Sequence, residues 1–421
     1  MKHVLFAGMS AKGHLYPALA IVSELVRRGY RVTYVSGEDL ADAIEGAGAR
    51  PIGFATDLPE VNHTEVANAK NAATAPLLFF EEAERIVRAV DAHLGDDVPD
   101  LIVCDHSVAH AGRALSYRWD RPLAVFCPGF ANNGDPELVS RLLRPVGGSL
   151  DTTHPAMLEY ISRAGRMMRE NRMSGVSIED FLIGNDRLTF AFYPREFQYF
   201  AERFDDTFQF LGPCLSDRSF MGGWMPPSDG RPIALVSRGT IMNDSMREEA
   251  IAYFATCARA FEGLGWHVVM SIGNQLNATD LGPLPEGVEV RNWVSHQEVL
   301  PHARIYVNHA GISSLMEALY YQTPLLCMPA SADAVINAER VEELGLGTMI
   351  HADEMTAEGV RTAVLAIDGD EETQKRVRAM GEQCVRAGGA VRAADVLEAY
   401  LADASPSRSW RHRSAAPASR G

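Results

Sequence analysis

The 421-residue chain is poor in positive charge, in cysteine and in long apolar runs, and each shortage removes a class of function. Its 39 Lys and Arg stand against 55 Asp and Glu, a formal charge of −16 at pH 7. An extended nucleic-acid surface needs a concentrated basic patch, so a small ligand is expected and nucleic acid is not. The six cysteines, Cys104, Cys127, Cys214, Cys257, Cys327 and Cys384, form no CxxC pair and no metal-ligand spacing. They read as buried thiols of a reducing compartment. No apolar run approaches the roughly 20 residues that span a bilayer. The first residues enter a strand pattern at once, without the basic and apolar blocks of a secretion signal. The expectation is a cytoplasmic protein with no membrane span.

What is present is alternation. The chain is 47% hydrophobic, enough for sizeable cores, and its length favours two or three domains. Val4 to Ala7 is an apolar run, Gly8 to Gly13 a flexible turn, and His14 to about Arg28 a helix with Leu19, Val22, Leu25 and Val26 on one face and Gly29 as its stop. With a strand at Arg31 to Val35 this is a βαβ unit, which implies a parallel sheet. Further strands are predicted at Pro51 to Phe54, Leu101 to Cys104, Leu123 to Phe126 and Thr189 to Tyr193, with a helix at Pro76 to Leu94. Between Leu211 and Pro232 the pattern dissolves into Gly, Pro, Ser and Asp, the composition of a linker. It then restarts: strand Ile233 to Ser237, helix Ser245 to Leu264, strands His267 to Ile272, Val288 to Val290 and Ile305 to Val307. Helices follow at Ala357 to Ile367, Glu371 to Ala387 and Ala390 to Leu401, with Asp368-Gly369-Asp370 as helix stop and N-cap. The fold class is α/β: one doubly wound parallel-sheet domain over residues 1–215, a second over 216–403, and a disordered basic tail over 404–421.

The most informative stretch runs from Arg304 to Asn337. A buried strand breaks at Asn308-His309-Ala310-Gly311 into a helix that begins with Ser313 and Ser314. Unpaired N–H groups and the positive end of a helix dipole make such a turn an anion site. His309 adds an imidazole, the serines add hydroxyls, and Glu317, one turn on, can accept bonds from sugar hydroxyls. The same pattern also suits an ordinary strand-turn-helix whose serines cap it. Ser237-Arg238-Gly239-Thr240, after another strand, offers a second backbone nest for phosphate. Arg238 suits either a diphosphate or solvent.

His14 and Asp105 follow two strands of one parallel sheet, so both side chains emerge on the same rim. A helix N-terminus favours the neutral imidazole that a general base needs, and a carboxylate on one ring nitrogen fixes the tautomer. His106 and His110 are the nearby competitors.

These residues, with Asn292-Trp293-Val294-Ser295-His296 upstream and Pro329 to Asp333 downstream, resemble the donor-binding signature of GT-B glycosyltransferases. They are most similar to the bacterial macrolide glycosyltransferases of the UDP-glycosyltransferase superfamily. Gly13-His14-x-x-Pro17 is similar to that family's catalytic-histidine motif, and Asp105 falls at its partner aspartate. The resemblance implies a GT-B fold, two Rossmann-like domains facing across a cleft, with the last helix returning to the first domain. It implies an inverting, metal-independent transfer from a UDP- or TDP-sugar to a hydroxyl of a small lipophilic acceptor such as a macrolide or polyketide. No cofactor is expected, and the chain would be a monomer or homodimer. Trp293 would stack on the base; His296, Ser237, Gly239, Thr240, His309, Gly311, Ser313, Ser314, Glu317 and Asp333 would line the donor site. Met157, Met167, Met168, Met173, Phe79 and Phe80 are acceptor-site candidates or core residues. Two departures stand out. Trp-x-Pro-Gln is Trp293-Val294-Ser295-His296, and the usual acidic-Gln pair is Asp333-Ala334, which suits a deoxygenated or substituted sugar. The alternatives are a cell-wall glycosyltransferase, a sugar-nucleotide epimerase, or a non-catalytic helper protein.

Overall fold

The computed structural model describes residues 1–56, 58, 72–184, 186–216, 223–239, 246–351 and 354–403. The predicted tail lies outside them, as does Thr240.

Two parallel sheets organise the chain. The first contains His3–Ala7 (β1), Arg31–Gly37 (β2), Arg50–Phe54 (β3), Leu101–Asp105 (β4), Leu123–Cys127 (β5), Thr189–Ala191 (β6) and Phe208–Phe210 (β7), in the order β3-β2-β1-β4-β5-β6-β7. The second contains Ile233–Ser237 (β8), His267–Ser271 (β9), Val288–Arg291 (β10), Ala303–Asn308 (β11), Leu325–Cys327 (β12) and Gly347–Met349 (β13), in the order β10-β9-β8-β11-β12-β13. The central strands are continuous apolar runs because helices cover both faces. Along β1 the side chains alternate between two cores: Val4 and Phe6 pack with Leu15, Ala18 and Leu397, while Leu5 and Ala7 pack with Phe80, Ile86 and Val108. The second sheet repeats this, with Leu235 and Tyr306 on one face and Val236 and Val307 on the other.

Each sheet reverses its winding at one place, between β1 and β4 in the first and between β8 and β11 in the second. In open α/β sheets the crevice beyond the strand ends at such a reversal is where ligands bind. The two reversals carry the loops singled out from sequence: Gly8 to His14 and Asp105 in one domain, Ser237 to Gly239 and Asn308 to Ser314 in the other. An apolar cluster joins the domains behind the cleft, with Tyr193, Phe197 and Tyr199 from the first and Leu315, Ile336 and Val341 from the second.

The final helix, Gly389–Asp403, leaves the second sheet and packs on Lys12–Arg27 through Ala393, Ala394 and Leu397. Arg28 ties it there, donating to Asp395 at 2.8 Å and Glu398 at 2.6 Å. The short strands β7, β12 and β13 are not among the strands predicted from sequence. All six cysteines are free and buried. No described helix is long and apolar enough to cross a membrane.

Candidate active site

His14 is the third residue of the helix Lys12–Arg27, and Asp105 ends β4, the neighbour of β1. Nδ1 of His14 donates to Oδ2 of Asp105 at 2.8 Å. The other oxygen, Oδ1, accepts from the backbone N–H of Ser107 at 2.9 Å. The carboxylate is fully buried while the imidazole side chain is 25% exposed. Burial pushes the Asp105 carboxyl up, but the His14 imidazole and the Ser107 bond outweigh it and hold it below its ordinary value. An ionised partner on Nδ1 leaves Nε2 as the nitrogen that takes a proton. The competing histidines separate cleanly. His106 is exposed on the rim. His110 is buried among Phe80, Tyr160 and Phe181, bonded to the Tyr160 hydroxyl at 2.9 Å, and pushed down to about 3 by burial.

Across the cleft, β11 ends in a turn that the backbone holds under strain. Ala310 is fully buried with φ of +63°, a region an L-residue enters only when its surroundings fix it. Asn308 Oδ1 accepts from the Ala310 N–H at 2.7 Å, and Asn337 Nδ2 donates to the Ala310 carbonyl at 2.9 Å. Asn337 ends the stretch singled out from sequence, but no role was foreseen for it. Gly311 is the N-cap of the helix Ile312–Tyr320, so Ser313 and Ser314 stand in its first turn, half-buried. The His309 ring sits between two glycines. A Cβ on Gly239 or on Gly311 would lie 2.4 Å from it, and Gly239 also has φ of +86°. Burial pushes His309 down to about 4; Asp333 opposes the shift, and Arg238 and His296 add to it.

The remaining donor-site candidates divide by direction. The Ser237 hydroxyl is turned inward, 2.5 Å from the Tyr306 hydroxyl. Tyr306 lies 3.4 Å from His296 Nδ1, which is also 3.4 Å from Glu317 Oε2. Ser237 and Glu317 are buried, so this chain of polar groups forms the floor of the site. Arg238 does not face open solvent: its side chain is buried and ion-paired with the exposed Glu249 at 2.8 Å, although Nη2 makes no hydrogen bond among the described residues. Trp293 is half-buried, unlike a core tryptophan, with the Lys12 ammonium 5.3 Å from its ring centroid. Asp333 is exposed and accepts from Ser331 Oγ at 2.6 Å. Ala334, expected to border the sugar, is 1% exposed and belongs to the core with Leu315 and Ile336.

On the first-domain side, Phe80, Met157, Met167 and Met173 are buried core residues, and Phe79 and Met168 are half-buried at its margin. Sequence reasoning missed Glu82. Its buried carboxylate accepts from Ser10 Oγ at 2.5 Å and Thr56 Oγ1 at 2.8 Å, anchoring the turn that leads to His14. The two halves of the cleft touch where Ser313 Oγ donates to the Gly13 carbonyl at 3.1 Å.

A family profile described as "Erythromycin biosynthesis protein CIII-like, C-terminal domain" matches residues 262–389. The chain is 33% identical over 412 residues to demethyllactenocin mycarosyltransferase of Streptomyces fradiae, covering 96% of this chain and 87% of the relative. It is 31% identical over 403 residues to oleandomycin glycosyltransferase of Streptomyces antibioticus, covering 95% and 91%. Among solved structures it resembles CalG4, the calicheamicin glycosyltransferase, at 36% identity and a TM-score of 0.83, covering 96% of this chain and all of that one.

Proposed function

The chain belongs to the bacterial macrolide and antibiotic glycosyltransferases, and we propose that within this family it is an inverting, metal-independent enzyme that uses a UDP- or TDP-sugar. Its acceptor is a hydroxyl of a macrolide, polyketide or similar lipophilic natural product. Nε2 of His14 takes the proton of that hydroxyl as its oxygen attacks the anomeric carbon. Asp105 stabilises the imidazolium that results. The bond from the anomeric carbon to the diphosphate oxygen breaks, and the nucleoside diphosphate stays in the His309 to Ser314 turn. Helix N–H groups there neutralise the developing charge, the task a divalent cation performs elsewhere.

The observation that carries this reading is the meeting of the two loops. The His14–Asp105 pair opens on the same cleft as the His309 turn, and the Ser313 to Gly13 bond joins the helix that follows that turn to the residue beside His14. A single displacement needs the base and the leaving-group site on opposite sides of one anomeric carbon. The test is transfer from UDP- and TDP-sugars to a panel of macrolide aglycones, with and without a chelator, and with the product anomer determined by NMR. Inverted product, unaffected by chelator and abolished in His14→Ala, is expected. Retained configuration, or a requirement for metal, would overturn the mechanism.

A further inference from the structure

We propose that Lys12, although it belongs to the first domain, is a donor-binding residue whose ammonium moves from Trp293 to the diphosphate when nucleotide enters. The inference rests on the donor site proposed above. Lys12 is the first residue of the helix that carries His14, yet its Nζ lies 5.3 Å from the centroid of the Trp293 ring in the other domain. Trp293 is the aromatic available for base stacking, and a ring face covered by an ammonium cannot hold a base at the same time. A base that stacks on the covered face displaces Nζ.

The place it moves to is set by the neighbouring residue. The Gly13 carbonyl accepts from Ser313 Oγ at 3.1 Å, so the first turns of the helices Lys12–Arg27 and Ile312–Tyr320 converge. A lysine is a compact point charge on a flexible four-carbon stem, able to swing from ring to phosphate without backbone movement. The other cation of the donor loops, Arg238, is buried and already ion-paired with Glu249, whereas the Lys12 ammonium rests on a ring face. Lys12 makes no salt bridge among the described residues. In a chain of net charge −16 a mobile cation at an anion site has a large effect on affinity. Because His14 lies two residues on, donor capture also fixes the turn that carries the base.

The test is calorimetric titration of UDP, TDP and the phosphate-free nucleosides uridine and thymidine into the parent, Lys12→Met, Lys12→Arg and, as a remote charge control, Lys375→Met. In Lys12→Met, UDP and TDP should bind about 5- to 20-fold more weakly, with a shallower salt dependence. The nucleosides should bind equally well or better, since nothing competes for Trp293. Lys12→Arg should keep most of the diphosphate affinity, and Lys375→Met all of it. Parent-like UDP and TDP affinity in Lys12→Met overturns the inference, as does an equal loss for nucleosides and diphosphates, which marks Lys12 as a closing contact only. A parent that binds neither UDP nor TDP removes the donor reading itself, and this inference with it.

Discussion

Gly239 and His309 are in contact so close that no side chain fits between them: a Cβ on Gly239 would lie 2.4 Å from Cε1 of the imidazole. Gly239, two residues past β8, thus serves as the back wall of the turn after β11. Gly239→Ala adds a methyl where the ring is, at φ of +86°, a conformation that costs an L-residue about 1–2 kcal/mol. The ring must leave its place, so UDP or TDP affinity should fall at least tenfold while the His14–Asp105 pair is untouched. Calorimetry on the purified variant checks this. Undiminished nucleotide affinity would show that His309 does not need its position.

Asp105 acts through His14. In Asp105→Asn the amide keeps the shape but no longer stabilises an imidazolium or dictates its tautomer. kcat should drop by about two to four orders of magnitude, the range found when a general base is disabled, with nucleotide affinity unchanged. The carboxyl is held below its ordinary 3.8. The bond to His14 therefore adds stability above about pH 4 and loses it as the pH falls through the folded value, below the range of activity. Steady-state kinetics and calorimetric UDP and TDP titrations of parent and variant check this, and a parent-like kcat in Asp105→Asn would remove Asp105 from the mechanism.

Most of the scaffold was legible because parallel strands buried on both faces read as short unbroken apolar runs, and three to five such residues suffice to mark β1, β4, β5, β8 and β11. Candidate residues lay just past the ends of those runs, where a parallel sheet must place its ligand loops. What stayed hidden depends on packing between distant segments. Asn337 holds a carbonyl 27 positions away. Glu82 anchors a turn 72 positions away. The inward direction of the Ser237 hydroxyl follows from Tyr306. None of these has a local signature.

Burial of His309 makes folding stability depend on pH in a definite direction. Burial pushes it from 6.5 down to about 4, so the unfolded chain takes up this proton before the folded chain does. Its contribution to stability is complete above about pH 6.5 and is lost as the pH falls through 4. His309→Gln should flatten the fall of unfolding free energy between pH 6.5 and 4 by up to about 1.4 kcal/mol per pH unit, less in practice because the ring is not wholly enclosed. His110, pushed down to about 3 by burial, contributes the same sign in both proteins and cancels in the comparison. Urea unfolding at a series of pH values reads the difference. Parallel curves for parent and variant would mean that His309 is solvated in the folded protein.

Ala334 is where the resemblance and the packing disagree. The family commonly has Gln after the acidic residue, and an alanine there suggests a donor lacking a hydroxyl. In the structure Ala334 is 1% exposed, inside the cluster formed by Ala310, Leu315, Ile336 and Val341. Its methyl packs against the helix that follows the His309 turn, beneath the exposed Asp333, and does not face the cleft. Ala334→Gln therefore forces a longer side chain into a filled space, at a cost of about 1–3 kcal/mol, and buries an amide whose unmet bonds cost about as much again. The expected outcome is lower thermal stability and weaker nucleotide binding through the displaced turn, with the ratio of kcat/KM for glucose and deoxysugar donors unchanged. Thermal unfolding and the two-donor ratio decide it. A variant as stable as the parent, with that ratio shifted about tenfold toward glucose, equivalent to about 1.4 kcal/mol, would mean that residues 331–333 move aside for the amide and that the alanine does select the sugar.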